Sequence, residues 1–147
     1  MGQVVDSSVW IALERRGLSL EDWLAATSDD PVGVAAITAS ELLAGVARAD
    51  TPERRRRREA FVERILGAVR VIPFDLMVAR VHCLVWWELA SGGQMIGAHD
   101  LLIAATALAH GHEVLTENRR EFDRVSGLTV RLPRWGGLSK GEQEPPR

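Results

Sequence analysis

Ile96-Gly97-Ala98-His99-Asp100-Leu101-Leu102-Ile103-Ala104-Ala105-Thr106-Ala107-Leu108 is the stretch on which the reading of this chain turns. As a helix it is almost wholly apolar after its first turn, and a helix that is apolar all round is a buried one. Asp100 stands in that first turn, where exposed backbone N–H groups and the helix dipole favour a carboxylate. One acid thus sits at the mouth of a buried helix. Taken alone, Asp100 reads equally well as a helix cap.

Working outward, short apolar runs alternate with helical patterns. Residues 3–6 (Gln-Val-Val-Asp), 34–37, 69–73 and 114–116 read as strands, with 128–132 as a possible fifth. Between them lie a helix over 9–15, capped by Ser7 or Ser8 and stopped by Gly17, and a short helix over 20–26. A third helix follows over 39–49. A fourth opens at Thr51-Pro52-Glu53, with proline at its first position, and runs to Gly67. A long helix starts at Asp75 and ends before Ser91-Gly92-Gly93. The buried helix spans 99–110 with Gly111 as its C-cap, and a last helical turn covers 119–125. This alternation predicts an α/β domain whose central sheet of four to five strands is mainly parallel. Residues 1–135 read as one domain; from Gly136 to the end, Gly, Ser, Lys, Glu, Gln and Pro predict a disordered tail over 136–147.

The totals narrow the class. A chain of 147 residues can bury a real core, and 46% hydrophobic with 26% charged residues is ordinary for a soluble domain. The single cysteine, Cys83, excludes an intrachain disulfide and a Cys-rich zinc site. No basic and apolar leader and no run long enough to span a bilayer are present, so a cytoplasmic protein without membrane contact is expected. The net charge is −2, and arginine supplies every basic side chain except Lys140. Gly-x-Gly-x-x-Gly and Walker A patterns are lacking, and the one lysine is remote from the acids, which argues against nucleotide binding and against a phosphotransfer receiver.

In an open α/β sheet, sites lie beyond the carboxyl ends of the strands. That rule turns scattered acids into a constellation. Asp6 ends the first strand, Glu41 falls in the first turn of the third helix, Asp100 opens the buried helix, and Asn118 follows the fourth strand. Carboxylates gathered there repel one another by roughly 4 kcal/mol per pair at about 4 Å and an effective dielectric of about 20. Such a cluster must take up protons or bind a cation. An all-oxygen donor set suits Mg²⁺ or Mn²⁺, the arrangement for metal-assisted attack of water on a phosphodiester. The bland alternative makes the acids three separate helix caps.

Four stretches in order, Val4-Val5-Asp6-Ser7-Ser8-Val9, Ala39-Ser40-Glu41-Leu42-Leu43-Ala44-Gly45, 96–105 and Val114-Leu115-Thr116-Glu117-Asn118-Arg119-Arg120-Glu121-Phe122, resemble the signature segments of PIN-domain ribonucleases. They are most similar to the VapC toxins of toxin–antitoxin pairs, over about residues 3–132. The resemblance implies a PIN-like three-layer α/β/α sandwich and a Mg²⁺- or Mn²⁺-dependent endoribonuclease. Asp6, Glu41 and Asp100 match the core acidic positions and would hold the metal. Asn118 stands where the family often has Asp and brings no charge. Thr116 matches a hydroxyl position beside the site, and Ser8 stands where many relatives have Asn and would hold a metal-bound water. The implied hydrolysis leaves a 5′-phosphate and a 3′-hydroxyl. A VapB-like antitoxin and a homodimer are the implied partners. A PIN-like protein that binds RNA or a partner without cutting is the alternative, resting on Asn118 alone.

Other features weigh less. The run 54–58 is all arginine, and Arg54, Arg55, Arg57 and Arg58 are candidates for RNA or antitoxin contact, against a solvated face paired with Glu53, Glu59 and Glu63. Trp10, Trp23 and Val46 are candidate apolar anchors for an antitoxin, with core packing the expected fate of Trp10. Trp86 and Trp87, adjacent on a helix, point about 100° apart, which leaves one of them for a rim or a homodimer contact. His99 adjoins Asp100 in sequence but is expected to point elsewhere, and His110 and His112 lie at the far end of that helix, which disfavours metal-free histidine catalysis.

Overall fold

The computed structural model describes residues 1–27 and 29–138. Five strands form one sheet: β1 (Gln3–Val5), β2 (Val32–Ala35), β3 (Arg70–Ile72), β4 (Glu113–Leu115) and β5 (Val130–Arg131). The helices are α1 (Ser7–Arg16), α2 (Leu20–Thr27), α3 (Ala36–Ala47), α4 (Pro52–Ala68), α5 (Leu76–Ser91), α6 (Ala98–Ala109) and α7 (Arg119–Phe122). The sheet order is β3-β2-β1-β4-β5 and every pairing is parallel. The chain winds outward from β1 to β3 on one side, then crosses to β4 and β5 on the other. The direction of winding therefore reverses between β1 and β4, and a crevice opens at such a switch point.

Alternation along the strands builds two cores. Val4 and Val114 face one side with Ile103, Ala104 and Ala107 of α6, Val85 and Leu89 of α5, and Phe122. Val5, Val34 and Leu115 face the other with Trp10 and Leu13 of α1, Trp23 of α2, Leu42 of α3, and Val62 and Ile65 of α4. Helices thus cover both faces, the three-layer α/β/α sandwich. Helix α6 is buried along Leu101, Ile103, Ala104, Ala105, Thr106 and Ala107 as its composition requires. Among the described residues no helix is long and apolar enough to cross a membrane.

Boundaries moved where β-branched residues misled the local reading. β2 begins at Val32, two residues earlier than expected, because Gln3 of β1 donates to the Pro31 carbonyl and starts the ladder there. Ile37 and Thr38 then belong to α3, so Glu41 lies in the second turn of that helix rather than the first. The cap of α1 also differs: Asp6 occupies the N-cap position and Ser7 and Ser8 are helical, so neither serine caps. Trp23, one of the candidate anchors, is 1% exposed and packs edge-on against Trp10 at 5.4 Å between ring centroids. It belongs to the core and offers no surface to a partner. Trp86 and Trp87 are both exposed, at 47% and 66%. Trp135 and Leu138 pack against the core that contains Trp10 and Trp23. The disorder expected over 136–147 concerns mainly residues 139–147, which lie outside the described residues.

Candidate active site

Asp6 leaves β1 at the switch point and is 6% exposed. Its extended backbone puts it at the N-cap of α1, yet its carboxylate caps nothing. Two hydroxyls hold it instead. Ser8 donates from Oγ to Asp6 Oδ2 at 2.8 Å, and fully buried Thr116 donates from Oγ1 to the same oxygen at 2.9 Å. The hydroxyl oxygens lie 3.3 Å apart. Each accepts a backbone N–H in turn, Ser8 from Glu117 at 3.1 Å and Thr116 from Asn118 at 3.0 Å. Because the amides occupy the acceptor side of each hydroxyl, its proton is directed to Asp6. One carboxylate oxygen, Oδ2, thereby accepts two hydroxyl hydrogen bonds. Ser8 and Thr116 thus both contact Asp6 directly.

Asp100 comes from the first turn of α6, whose N-cap is Gly97 and whose end carries no side-chain cap bond. The half-buried Asp100 carboxyl is pushed up to about 7, first by burial, then by its hydrogen bond with Glu121 and by the charges of Asp6, Glu121 and Glu41. Glu121 moves the opposite way, held below the usual range by that same bond and by the Gly97 N–H, which donates to its Oε2 at 3.4 Å. The pair therefore shares a proton, carried by Asp100. Glu121 is a fourth carboxylate at the site, and sequence reasoning passed over it. Its signal was the spacing Asn118-x-x-Glu121 on a helical turn, which returns the side chain of Glu121 toward the start of α6.

Glu41 projects from the second turn of α3. Its Oε1 is buried without a hydrogen-bond partner. Its Oε2 lies 3.6 Å from His99 Nδ1, so His99 reaches across to α3 rather than pointing elsewhere. Asp6 stands at the N-cap of α1 without a side-chain cap bond, Asp100 lies inside the first turn of α6 and Glu41 inside α3, which weighs against the bland alternative. Asn118 contributes its backbone N–H; its side chain is exposed and does not cap α7.

The donor set fits a hard divalent cation. A buried carboxylate oxygen without a partner is costly unless a cation or donor meets it, and burial, the bond with Glu121 and the charges of the neighbouring acids all oppose ionisation of Asp100. Among the described residues no three His, Cys, Asp or Glu side chains form a ready-made ligand cage. Mg²⁺ needs none, since it is held by one or two carboxylates and keeps several waters.

The arginine run divides by partner. Arg54 pairs with Asp50 at 2.9 Å. Arg55 donates to the Ala49 carbonyl at 3.2 Å and Arg58 to the Gly45 carbonyl at 3.2 Å, which ties α4 to the end of α3. Arg58 also lies 3.6 Å from Glu14. Arg56 and Arg57 are exposed and have no polar partner among the described residues.

An α/β/α sandwich with all-parallel strands and acids gathered at its switch point defines a class, and comparison with known proteins identifies it. The family model described as PIN domain matches residues 4–128. Ribonuclease VapC1 of Rickettsia felis is 35% identical over 130 residues, 88% of this chain and 95% of that protein. The tRNA(fMet)-specific endonuclease VapC of Shigella flexneri is 33% identical over 95 residues, 65% of this chain and 70% of that protein. Among solved structures, DNA-bound VapBC from Salmonella typhimurium superimposes with a TM-score of 0.78 at 28% identity, covering 90% of this chain and 98% of that one. The chain belongs to the PIN domain family and, within it, to the VapC ribonucleases.

Proposed function

We propose that this chain is a Mg²⁺- or Mn²⁺-dependent endoribonuclease that acts as the toxin of a toxin–antitoxin pair. The observation that carries the metal reading is the unpartnered, buried Oε1 of Glu41 together with the raised Asp100 carboxyl. Asp6 and Asp100 would hold the ion, with Glu41 holding it directly or through a bound water, and Glu121 behind Asp100. When bound, the ion supplies a Lewis acid that lowers the pKa of water and offsets charge on a phosphodiester. Ser8 and Thr116 fix the plane of the Asp6 carboxylate. Glu121 receives the Asp100 hydrogen bond and so keeps that carboxyl turned toward the start of α6. The exposed Arg56 and Arg57, with Arg54, Arg55 and Arg58 behind them, supply positive charge for an RNA backbone or an acidic antitoxin segment.

The relatives named as VapBC complexes support an antitoxin of the VapB kind as partner, and the exposed Trp86 and Trp87 on α5 support a homodimer face. A ribonuclease acting on cellular RNA would work in the cytoplasm. The presence of Asp6, Glu41 and Asp100 speaks against the non-cutting alternative. The test is cleavage of total RNA and of tRNA(fMet) with Mg²⁺, Mn²⁺ or EDTA, with sequencing of the new 5′ ends. Metal-dependent internal cuts bearing 5′-phosphates are expected. Metal-independent cuts with 2′,3′-cyclic ends, or RNA binding without cutting by antitoxin-free protein, would overturn the reading.

A further inference from the structure

The catalytic network does not end at Glu117. The Glu117 carboxylate accepts a hydrogen bond from the indole Nε1 of Trp135 at 2.9 Å. Trp135 lies beyond β5 and beyond residue 128, where the match to the family model stops. Its ring stacks on Trp23 at 6.1 Å with an interplanar angle of 30°, and Trp23 in turn meets Trp10, both rings being buried. The Arg16 guanidinium sits 4.7 Å from the centre of the Trp135 ring. The indole is therefore clamped between a rigid aromatic floor and a cation, and it aims its one donor at Glu117.

From these contacts we infer that Trp135 is a positioning residue for Asp6. The segment 116–118 is fixed from two directions. Its amides at Glu117 and Asn118 donate inward to Ser8 and Thr116. The Glu117 side chain is held outward by Trp135. Releasing the outer hold lets Glu117 move, and its N–H moves with it. The Ser8 hydroxyl then loses the donor that orients its proton, and Asp6 Oδ2 loses a partner. The order of the Asp6 carboxylate, and hence its grip on a cation, thus depends on a tryptophan in the C-terminal segment. The consequence for metal rests on the function proposed above; the positioning itself does not.

The test uses the full chain. Trp135→Phe keeps the ring over Trp23 and beneath Arg16 and removes only the N–H. Amide hydrogen exchange at Glu117 and Asn118 should accelerate about tenfold or more in this variant, with Val114 and Leu115 unchanged. Glu117→Ala should do the same, the double variant should be no faster than either single one, and Glu117→Gln, whose amide oxygen still accepts, should keep the protection. Mn²⁺ affinity measured by calorimetry should fall about tenfold in Trp135→Phe and Glu117→Ala, the size of effect expected for a residue behind a ligand. Unchanged exchange at both amides in Trp135→Phe, additive effects in the double variant, or faster exchange with Mn²⁺ affinity intact would each overturn the inference. Wild-type protein that binds no Mn²⁺ would sink the metal reading instead, and the exchange rates would still decide the role of Trp135.

Discussion

Replacing Asp100 by Asn should stabilise the protein while abolishing its cleavage. The raised Asp100 carboxyl means that the folded state resists its ionisation. A rise from the ordinary value near 3.8 to about 7 corresponds to about 4 kcal/mol at about 1.36 kcal/mol per pH unit. Asp100 is only half-buried, so solvent screening reduces this to about 1–2 kcal/mol. Asn retains an N–H to donate to Glu121 and carries no charge to repel Asp6 and Glu41. The sign follows from linkage. Well below about pH 4 Asp100 is protonated in both states, and variant and wild type should match. Between about pH 4 and 7 the unfolded chain ionises while the folded one does not, so the wild type loses stability relative to the variant. Above about pH 7 the gap is constant. Urea unfolding in EDTA at about pH 2.5 and about pH 8 reads this directly. RNA cleavage should fall on the order of 100-fold or more, the scale of losing one charge-stabilising group. No gain at about pH 8, or an equal gain at both pH values, would refute the electrostatic account of the site.

Further outcomes follow from the same geometry. Glu121→Ala removes the partner and one of the charges that raise Asp100, so the acid limb of the cleavage profile should move to lower pH; an unmoved limb counts against the shared proton. Thr116→Val strands the Asn118 amide and takes a donor from Asp6, which should cost about 1–3 kcal/mol in chemical denaturation and lower Mn²⁺ affinity. Arg58→Ala should lower stability by about 0.5–1.5 kcal/mol through the lost Gly45 bond. Arg57→Ala should leave stability unchanged but reduce the salt slope of RNA binding by about 1 in a filter assay at varied ionic strength.

The sequence by itself determined the class of fold and three of the four acids. Alternating strands and helices, and a helix apolar on every side, admit few arrangements, because a buried helix must be covered and parallel strands need crossovers on both faces. Asp6 and Asp100 were legible because strand ends and helix starts are local features. Glu41 was legible as a site residue but placed one turn early, since Ile37 and Thr38 favour a strand until the pairing with β1 claims Val32 first. What only the tertiary structure decided were contacts between segments far apart in the chain. Glu121 meets Asp100 only after α7 folds back on α6, and His99 finds Glu41 across two helices. The arginine run, uniform in sequence, divides into side chains tethered to Asp50 and to the Gly45 and Ala49 carbonyls and side chains without a polar partner among the described residues. Trp135, held by a stack of indoles, meets Glu117 across 18 residues of chain. Periodicity records which face of an element is apolar, whereas a hydrogen bond between distant segments depends on distances that exist only once the layers have packed.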